Sequence, residues 1–439
     1  MIVQKFGGTS VGKPERMHQV AGLLDLAKGP VVIVLSAVSG TTNALVSINA
    51  HYRNGELNEA MAALLELKAT YIPFVKALYH SPKSKREGLE LIEKYFEELV
   101  RLVSQPYYAQ IEKVIVVQGE LISTHLFQLY LVETGRKSVL LAAADFMYLD
   151  QQGEPDLEII RNKLHRVMQE DPADLYVTQG FICRNVSGGI DNLRRGGSDY
   201  SATLIGAALK VKEVQIWTDI DGMHNNDPRV VDHTEPISEL SFEEAGELAY
   251  FGAKILHPNC IIPAQKYDVP VRIKNTMNPE AQGTLITSEQ NPKAVKAIAA
   301  KDGITAIKIK SSRMIMAYGF LRKVFEVFEK YKTPIDMITT SEIAVSLTID
   351  DDQQLPQILK EINAYGHVEI DRNQTIICIV GDMVAEKQGV GREIFKALEN
   401  IPLRMIAYGG SRNNISILVD SSYKVEALKC LNRQLFNLN

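Results

Sequence analysis

The string Lys5-Phe6-Gly7-Gly8-Thr9-Ser10-Val11 brings together a cation, two residues without a Cβ and two hydroxyls. That set suits a polyanion. The glycines let it approach the backbone, while their amides and the Thr9 and Ser10 hydroxyls can point at phosphate oxygens. Lys5 adds a full positive charge, and a helix beginning after such a turn offers its N-terminus as an anion site. Gly7 to Lys13 also spells G-x-x-x-x-G-K, most of a P-loop, but the next residue is Pro14, which has no hydroxyl to hold magnesium. The P-loop mechanism is rejected; phosphate binding stands, with the lysine ahead of the glycines.

A second string, Arg194-Arg195-Gly196-Gly197-Ser198-Asp199-Tyr200-Ser201-Ala202, sets two glycines before a helical pattern. Ser198 and Asp199 alone would pass for an N-cap and a first-turn acid. That reading accounts for neither the glycines nor Arg195, whose guanidinium could grip a carboxylate in a bidentate fork. Asp199 could orient nearby lysines. Small hydroxyl residues gather in Leu35-Ser36-Ala37-Val38-Ser39-Gly40-Thr41-Thr42-Asn43. After a parallel strand they would lie at the carboxyl edge of a sheet, where open α/β folds bind ligands. Trp217-Thr218-Asp219, Asp227-Pro228-Arg229 and Phe251-Gly252-Ala253-Lys254-Ile255-Leu256-His257-Pro258 suit a nucleotide pocket, with Arg229 and Lys254 as cations near phosphates. Taken singly, each reads as ordinary turn chemistry.

These residues need elements to hold them. Ile2 to Phe6 and Val31 to Ser36 are short β-branched runs, and Pro14 to Lys28 between them carries helical spacing after a first-turn proline. Strand, helix, strand implies a βαβ unit and a parallel sheet. Helical texture fills 56–132; strand signals return at Lys137–Ala142, Asp174–Ile182, Glu213–Thr218 and Val269–Lys274, with helices at Ser198–Leu209 and Ser241–Phe251. Residues 1–290 thus read as one α/β domain with its sheet between helices. Beyond Asn291 an approximate repeat appears. Val324–Phe328, Pro334–Ile338 and Ala344–Asp350 are echoed by Ile394–Leu398, Pro402–Ile406 and Asn414–Asp420. Each copy reads helix, strand, turn, strand, so two ferredoxin-like α+β modules are expected, near 291–370 and 371–439, with strands open to exchange between them.

The 439 residues are too many for one core, and the balance of 46% apolar to 23% charged residues is that of a soluble globular protein. A net charge of −5 gives no basic surplus for nucleic acid. No signal-peptide pattern or membrane-spanning apolar run is read, which points to a cytoplasmic protein. Four scattered cysteines form no metal-ligand spacing with histidine and read as buried thiols.

Taken in order, the strings resemble the amino-acid kinase family, and within it the aspartate kinases. The likeness runs from K-F-G-G-T-S-V at Lys5 through L-S-A at Ser36, Q-G-E ending at Glu120, Q-G-F ending at Phe181, R-G-G-S-D at Arg195, W-T-D at Trp217 and D-P-R at Asp227 to F-G-A-K-I-L-H-P at Phe251. The resemblance implies ATP and Mg2+, with L-aspartate as phosphoryl acceptor. It implies Lys5 and Lys254 as the cations on the transferring group, Asp199 as their anchor, and Gly7 and Gly8 on the phosphates. Thr218, Asp219, Arg229 and Lys254 would line the nucleotide site, where His224 stands in place of a usual tyrosine. Arg195 would bind a substrate carboxylate and Glu120 its ammonium, with Ser36, Thr42, Phe181 and Ser198 completing the pocket. No protein metal cage is expected.

The C-terminal modules resemble ACT domains of the lysine-sensitive aspartate kinases. Asp336 and Glu342 would hold the ammonium groups of a lysine effector, flanked by Met314, Gly319, Phe320, Leu321 and Ser341. Such modules pair across subunits, so a homodimer or dimer of dimers is implied. Two other readings stay open: a kinase of another acidic amino acid such as glutamate, and a non-catalytic amino-acid sensor.

Overall fold

The five consecutive apolar residues Val31–Leu35 are buried throughout, as a strand covered on both faces must be. They belong to the first of two compact units, Met1–Met223 with Ile255–Ser288; the second is His224–Lys254 with Glu289–Asn439. The computed structural model describes residues 1–193, 196–252, 256–289, 294–311 and 318–438.

In the first unit the strands Val139–Leu141, Leu175–Gln179, Val31–Leu35, Ile2–Phe6, Val214–Thr218, Val271–Asn275 and Thr284–Thr287 lie side by side in that order. Every neighbouring pair is parallel except the last. The chain starts at the Ile2–Phe6 strand, adds Val31–Leu35 on one side and only later Val214–Thr218 on the other. The carboxyl end of Ile2–Phe6 is therefore a topological switch point, the position at which open α/β sheets form a crevice. Helices Leu57–Leu78, Pro82–Val103 and Gln118–Glu133 fill the expected helical region and share one core with the sheet through residues such as Phe6, Ile33, Leu64, Phe96 and Phe127.

Two elements differ from expectation. The first helix runs Pro14–Leu23, tightens into a 3-10 turn at Leu24–Leu26 and stops short of Lys28, ahead of Gly29 with φ 116°. The strand read over Asp174–Ile182 breaks after Gln179, because Phe181 adopts φ 67°. One helical stretch among the described residues, Ala109–Glu133, is long and apolar enough to cross a bilayer, which the sequence reading did not single out. Its most apolar window is 67% buried inside the protein, as in a core helix.

The second unit carries a sheet in the order Ile338–Thr340, Ala344–Ile349, Ala297–Lys310, His367–Val380, Asn414–Asp420, Leu403–Tyr408. The order is palindromic, as a repeat of helix, strand, turn, strand requires. The two central strands are shared. Ile304–Lys310 pairs with His367–Gln374, and Ala297–Lys301 pairs with Ile376–Val380, with register shifts between. Gly303, at φ 76°, marks the bend. Ile307 and Ile309 enter one core with Val324, Phe328, Val345 and Ile358. Ile298 enters the other with Ile377, Ile394, Ile417 and Leu428.

The segment from His224, read in sequence as part of the α/β domain, packs in this second unit. Its helix Phe242–Tyr250 opens with a capping box between Ser241 and Glu244. Glu244 also pairs with Lys296 at 2.7 Å, the two side chains 1% and 3% exposed. Lys296→Met alone should cost about 3–5 kcal/mol, because it leaves a buried carboxylate without its counter-charge. Adding Glu244→Gln, which can still close the capping box, should restore most of that in urea unfolding of the full chain. Equal losses in single and double variants would rule out the ion pair as the cause.

Candidate active site

The carboxyl end of the Ile2–Phe6 strand opens into a cavity of about 470 Å³ lined by Lys5, Gly7, Gly8, Thr9, Ser36, Ala37, Val38, Ser39, Gly40, Thr42, Asn43, Glu120, Phe181, Gly197, Ser198 and Thr218. Nine residues singled out from sequence meet there: Lys5, Gly7, Gly8, Ser36, Thr42, Glu120, Phe181, Ser198 and Thr218. Thr9, whose hydroxyl was expected on phosphate oxygens, lines it too, as do Ser39 and Asn43, which had no role of their own. Those two lie inside a string already quoted, so the signal was present but not used.

Lys5, next to last in its strand, faces the first turn of helix Gly197–Leu209, where its ammonium meets Asp199 Oδ1 at 2.5 Å. Both side chains are mostly covered, 11% and 17% exposed, so the pair holds the ammonium at the cavity wall. A Cβ on Gly7 would stand 3.4 Å from Lys5 Nζ, and one on Gly8 only 3.0 Å from the Ala37 carbonyl. The glycines thus keep two backbone turns close enough for a shared ligand. Gly196, at φ 80°, has no room for a side chain either: its Cβ would lie 2.4 Å from Cys260 Sγ.

Glu120 sits in the first turn of helix Gln118–Glu133 and is 4% exposed. Its Oε1 accepts from the Ala37 amide at 3.3 Å, while Oε2 is buried with no hydrogen-bond partner among the described residues. Burial raises its carboxyl to about 7, against the pull of the Ala37 amide. An acceptor left this way at a cavity wall asks for a donor from a ligand. The Ser123 hydroxyl, one turn on, donates to the Ser36 carbonyl at 2.7 Å and ties this helix to the Ser36 loop. Behind the cavity Thr41 Oγ1 and the Tyr71 hydroxyl share a buried 2.6 Å hydrogen bond. Nothing in the local sequence signals that pair.

The Phe181 amide donates to Ser201 Oγ at 2.8 Å, which fixes the left-handed turn beside Ser198. The Thr218 hydroxyl donates to Asp219 Oδ1 at 3.2 Å; Asp219 does not line the cavity. His224 and Arg229 belong to the second unit. His224 Nδ1 shares a 2.9 Å hydrogen bond with Thr234 Oγ1, and Arg229 forks onto Asp227 at 2.9 and 2.8 Å. Arg195 and Lys254 lie outside the described residues.

Of the effector residues, Met314 also lies outside the described residues. Gly319, at φ 78°, caps helix Phe320–Lys330; Phe320 packs on the module core and Leu321 is exposed. Ser341 turns the following hairpin, its hydroxyl accepting from the Ala344 amide at 3.2 Å, beside exposed Glu342. Asp336 is occupied: its Oδ1 accepts from Lys301 and from the Tyr250 hydroxyl, each at 2.8 Å.

A parallel sheet with a switch-point cavity, glycine turns, a held lysine and an unpartnered buried carboxylate defines a phosphotransferase of the amino acid kinase type. The chain matches the amino acid kinase family over residues 1–275 and an ACT domain over residues 377–435. It is 32% identical over 449 residues to the lysine-sensitive aspartokinase 3 of Escherichia coli, covering 99% of each chain. It is 34% identical over 462 residues to the chloroplastic aspartokinase 3 of Arabidopsis thaliana, covering 99% of this chain and 81% of that one. The solved E. coli aspartokinase III in complex with aspartate and ADP, an R state, matches with a TM-score of 0.83 over 99% of this chain and 100% of that one, at 32% identity. The same enzyme with lysine and aspartate, a T state, gives a TM-score of 0.79 at 32% identity over 99% of both chains. The chain belongs to the aspartokinase family.

Proposed function

We propose that the chain transfers the γ-phosphoryl group of ATP to the side-chain carboxylate of L-aspartate, giving 4-phospho-L-aspartate and ADP, and that lysine restrains it through the C-terminal modules. The observation that carries the reading is the convergence of Lys5 and Glu120 on one cavity. A cation for a phosphoryl group and a carboxylate for a substrate ammonium stand at the same switch point.

The attacking carboxylate is already a nucleophile at neutral pH, so no general base is required. Its oxygen lone pair forms the new bond to phosphorus while the bond to the ADP oxygen breaks. Lys5 and Lys254 offset charge on the transferring group, and the Gly7 and Gly8 amides hold the nucleotide phosphates. Asp199 orients the lysines. Glu120 takes the substrate ammonium and Arg195 its α-carboxylate, with Ser36, Thr42, Phe181 and Ser198 fixing the acceptor in line. Thr218, Asp219, His224 and Arg229 serve the nucleotide. The cavity offers hydroxyls, amides and an ammonium, donors that suit phosphate oxygens. A magnesium ion would be held by those oxygens and water rather than by a protein cage; when bound, it neutralises phosphate charge.

Residues 1–290 carry the chemistry in this reading, and modules 291–370 and 371–439 sense the effector. Exposed Leu321, Phe325, Ile338 and Ile343 suit pairing of modules across a homodimer or dimer of dimers. The buried free thiols of Cys183, Cys260 and Cys378 are in keeping with work in the cytoplasm.

The test is an ATP-dependent assay with the acyl phosphate trapped by hydroxylamine. Hydroxamate should form with L-aspartate and not L-glutamate, and lysine should suppress it. Hydroxamate from glutamate alone would move the assignment to another acidic amino acid, and none from any acceptor to a sensor.

A further inference from the structure

Tyr71 lies within helix Leu57–Leu78 and is 2% exposed. Its ring centre stands 6.0 Å from that of Phe96 and 6.2 Å from that of Phe74, in the core of the first unit. A tyrosine hydroxyl buried this deeply needs a polar partner, and Thr41 Oγ1 supplies it at 2.6 Å. Thr41 is also 2% exposed, and it opens helix Thr41–Arg53 directly after Gly40, whose φ is 87°. Burial, and after it the charge of Glu120, push the Tyr71 hydroxyl above the usual tyrosine value, against the pull of the Thr41 hydrogen bond. The phenol therefore keeps its proton at working pH, and the bond to Thr41 stays a hydroxyl–hydroxyl pair.

The residues on either side of Thr41 belong to the candidate active site: Val38, Ser39, Gly40, Thr42 and Asn43 all line its cavity. Val38, Ser39 and Gly40 also line a second cavity of about 510 Å³, whose other walls include Gly12, Leu67, Tyr71 and Phe74. The turn is thus a wall shared by two open spaces, and a Cβ on Gly40 would meet nothing within 4 Å. A segment with so little packed against it is placed by discrete ties rather than by close packing. The Ser123 hydroxyl on the Ser36 carbonyl, at 2.7 Å, and Glu120 Oε1 on the Ala37 amide, at 3.3 Å, hold its beginning. Gly119 lets the same helix approach, since a Cβ there would stand 2.9 Å from Ala37 Cβ and 3.2 Å from Thr41 Cγ2. The far end is tied to a different helix, by Thr41 to Tyr71.

We infer that Tyr71 is a positioning residue for the acceptor pocket: through Thr41 it fixes the Val38–Asn43 turn, and with it Thr42 and the stretch that hands the Ala37 amide to Glu120. The inference rests on the reading above that this cavity takes L-aspartate. Tyr71 itself touches no reacting atom. Without its hydroxyl the turn can shift into the second cavity, and the acceptor then meets a pocket that must be ordered at the moment of binding. That cost falls on capture of the acceptor. Lys5 and Asp199 stand on a strand and a helix that this tie does not reach, so the phosphoryl step keeps its own geometry.

The experiment uses the full chain with Tyr71→Phe, Thr41→Val, the two together, and Thr41→Ser, read by the hydroxamate assay and a thermal melt. Tyr71→Phe and Thr41→Val should each raise KM for aspartate about fivefold to tenfold, the scale of one buried hydrogen bond, with kcat and KM for ATP changed by less than about twofold. Each single variant strands one buried hydroxyl and should melt lower. The double variant strands none and should recover much of the melting temperature, yet keep the raised KM for aspartate. Thr41→Ser retains the hydroxyl and should keep the wild-type KM. Tyr71→Phe with an unchanged KM for aspartate would overturn the inference. So would a double variant whose KM returns together with its melting temperature, since the pair would then serve stability alone. Wild-type protein that turns over glutamate and not aspartate would refute the acceptor reading by itself, and the KM for glutamate would then decide the role of Tyr71 in the same way. Wild-type protein that neither turns over nor binds either acid in calorimetry would overturn both.

Discussion

Lys5→Met should lower kcat by about a thousandfold or more, on the scale of removing one preorganised charge from a phosphoryl-transfer site. The effect should fall on kcat rather than on KM for aspartate, because the ammonium is placed for charge that develops during transfer. The fold should survive, since Lys5 packs at the edge of the cavity and Phe6 beside it carries the core contact. Stability should drop by about 1–3 kcal/mol, because Asp199, 17% exposed, loses its partner at 2.5 Å. Asp199→Asn should be milder alone. The double variant should be little worse than Lys5→Met, since the two act as one unit. Hydroxamate turnover with a circular-dichroism melt decides this. Near-normal kcat in a folded Lys5→Met protein would remove Lys5 from the machinery.

Glu120→Gln should weaken aspartate binding by about a hundredfold, the loss of a charge-assisted hydrogen bond in a buried site, while making the ligand-free protein more heat-stable. The two effects share a cause. Burial raises the Glu120 carboxyl to about 7 from 4.5. Its favourable contribution to folding is complete below the unfolded value and is lost as pH rises through about 7. Above that the free enzyme holds a charge its surroundings disfavour by about 3 kcal/mol. A substrate ammonium reverses the preference, so aspartate binding near neutrality should release a proton. For the same reason kcat/KM for aspartate should fall about tenfold per pH unit below roughly 7, and the Gln variant should lack this acid limb. Unchanged aspartate affinity in Glu120→Gln, or a lowered melting temperature, would show the carboxylate to be structural.

Local signals made the cavity readable. Gly7 and Gly8 follow a strand and Gly196 and Gly197 open a helix, in strings that carry their own cation or acid, and the second copy of the helix–strand–turn–strand pattern announced the modules. Long-range pairings left no such trace. The capping box at Ser241 and Glu244 is visible in four residues, but the same Glu244 meets Lys296, 52 positions away. That pairing helps draw the 224–254 segment into the second unit. Asp336 was assigned from its neighbours to an effector. The structure gives it Lys301, 35 positions earlier, and no spacing rule connects them. Asp227 stands two residues before Arg229 in the D-P-R string, yet nothing in that string announced that the two side chains fork onto each other.

The shared central strands of the second unit also set an order of assembly during synthesis. Residues 304–374 contain every strand of the first module, so its antiparallel pairing can close as soon as they leave the ribosome. The stretch Ala297–Lys301 emerges earlier still, yet its partner Ile376–Val380 comes later. Until then it is an unsatisfied edge, exposed to wrong partners. Once Ile304 and Gln374 are in register, the same two strands need only continue past the bend at Gly303 to bring Ala297 opposite Val380. The loop-closure entropy has by then been met in the first module. The first module is thus a template on which the second is zipped, and the two can be told apart by eye but not made independently.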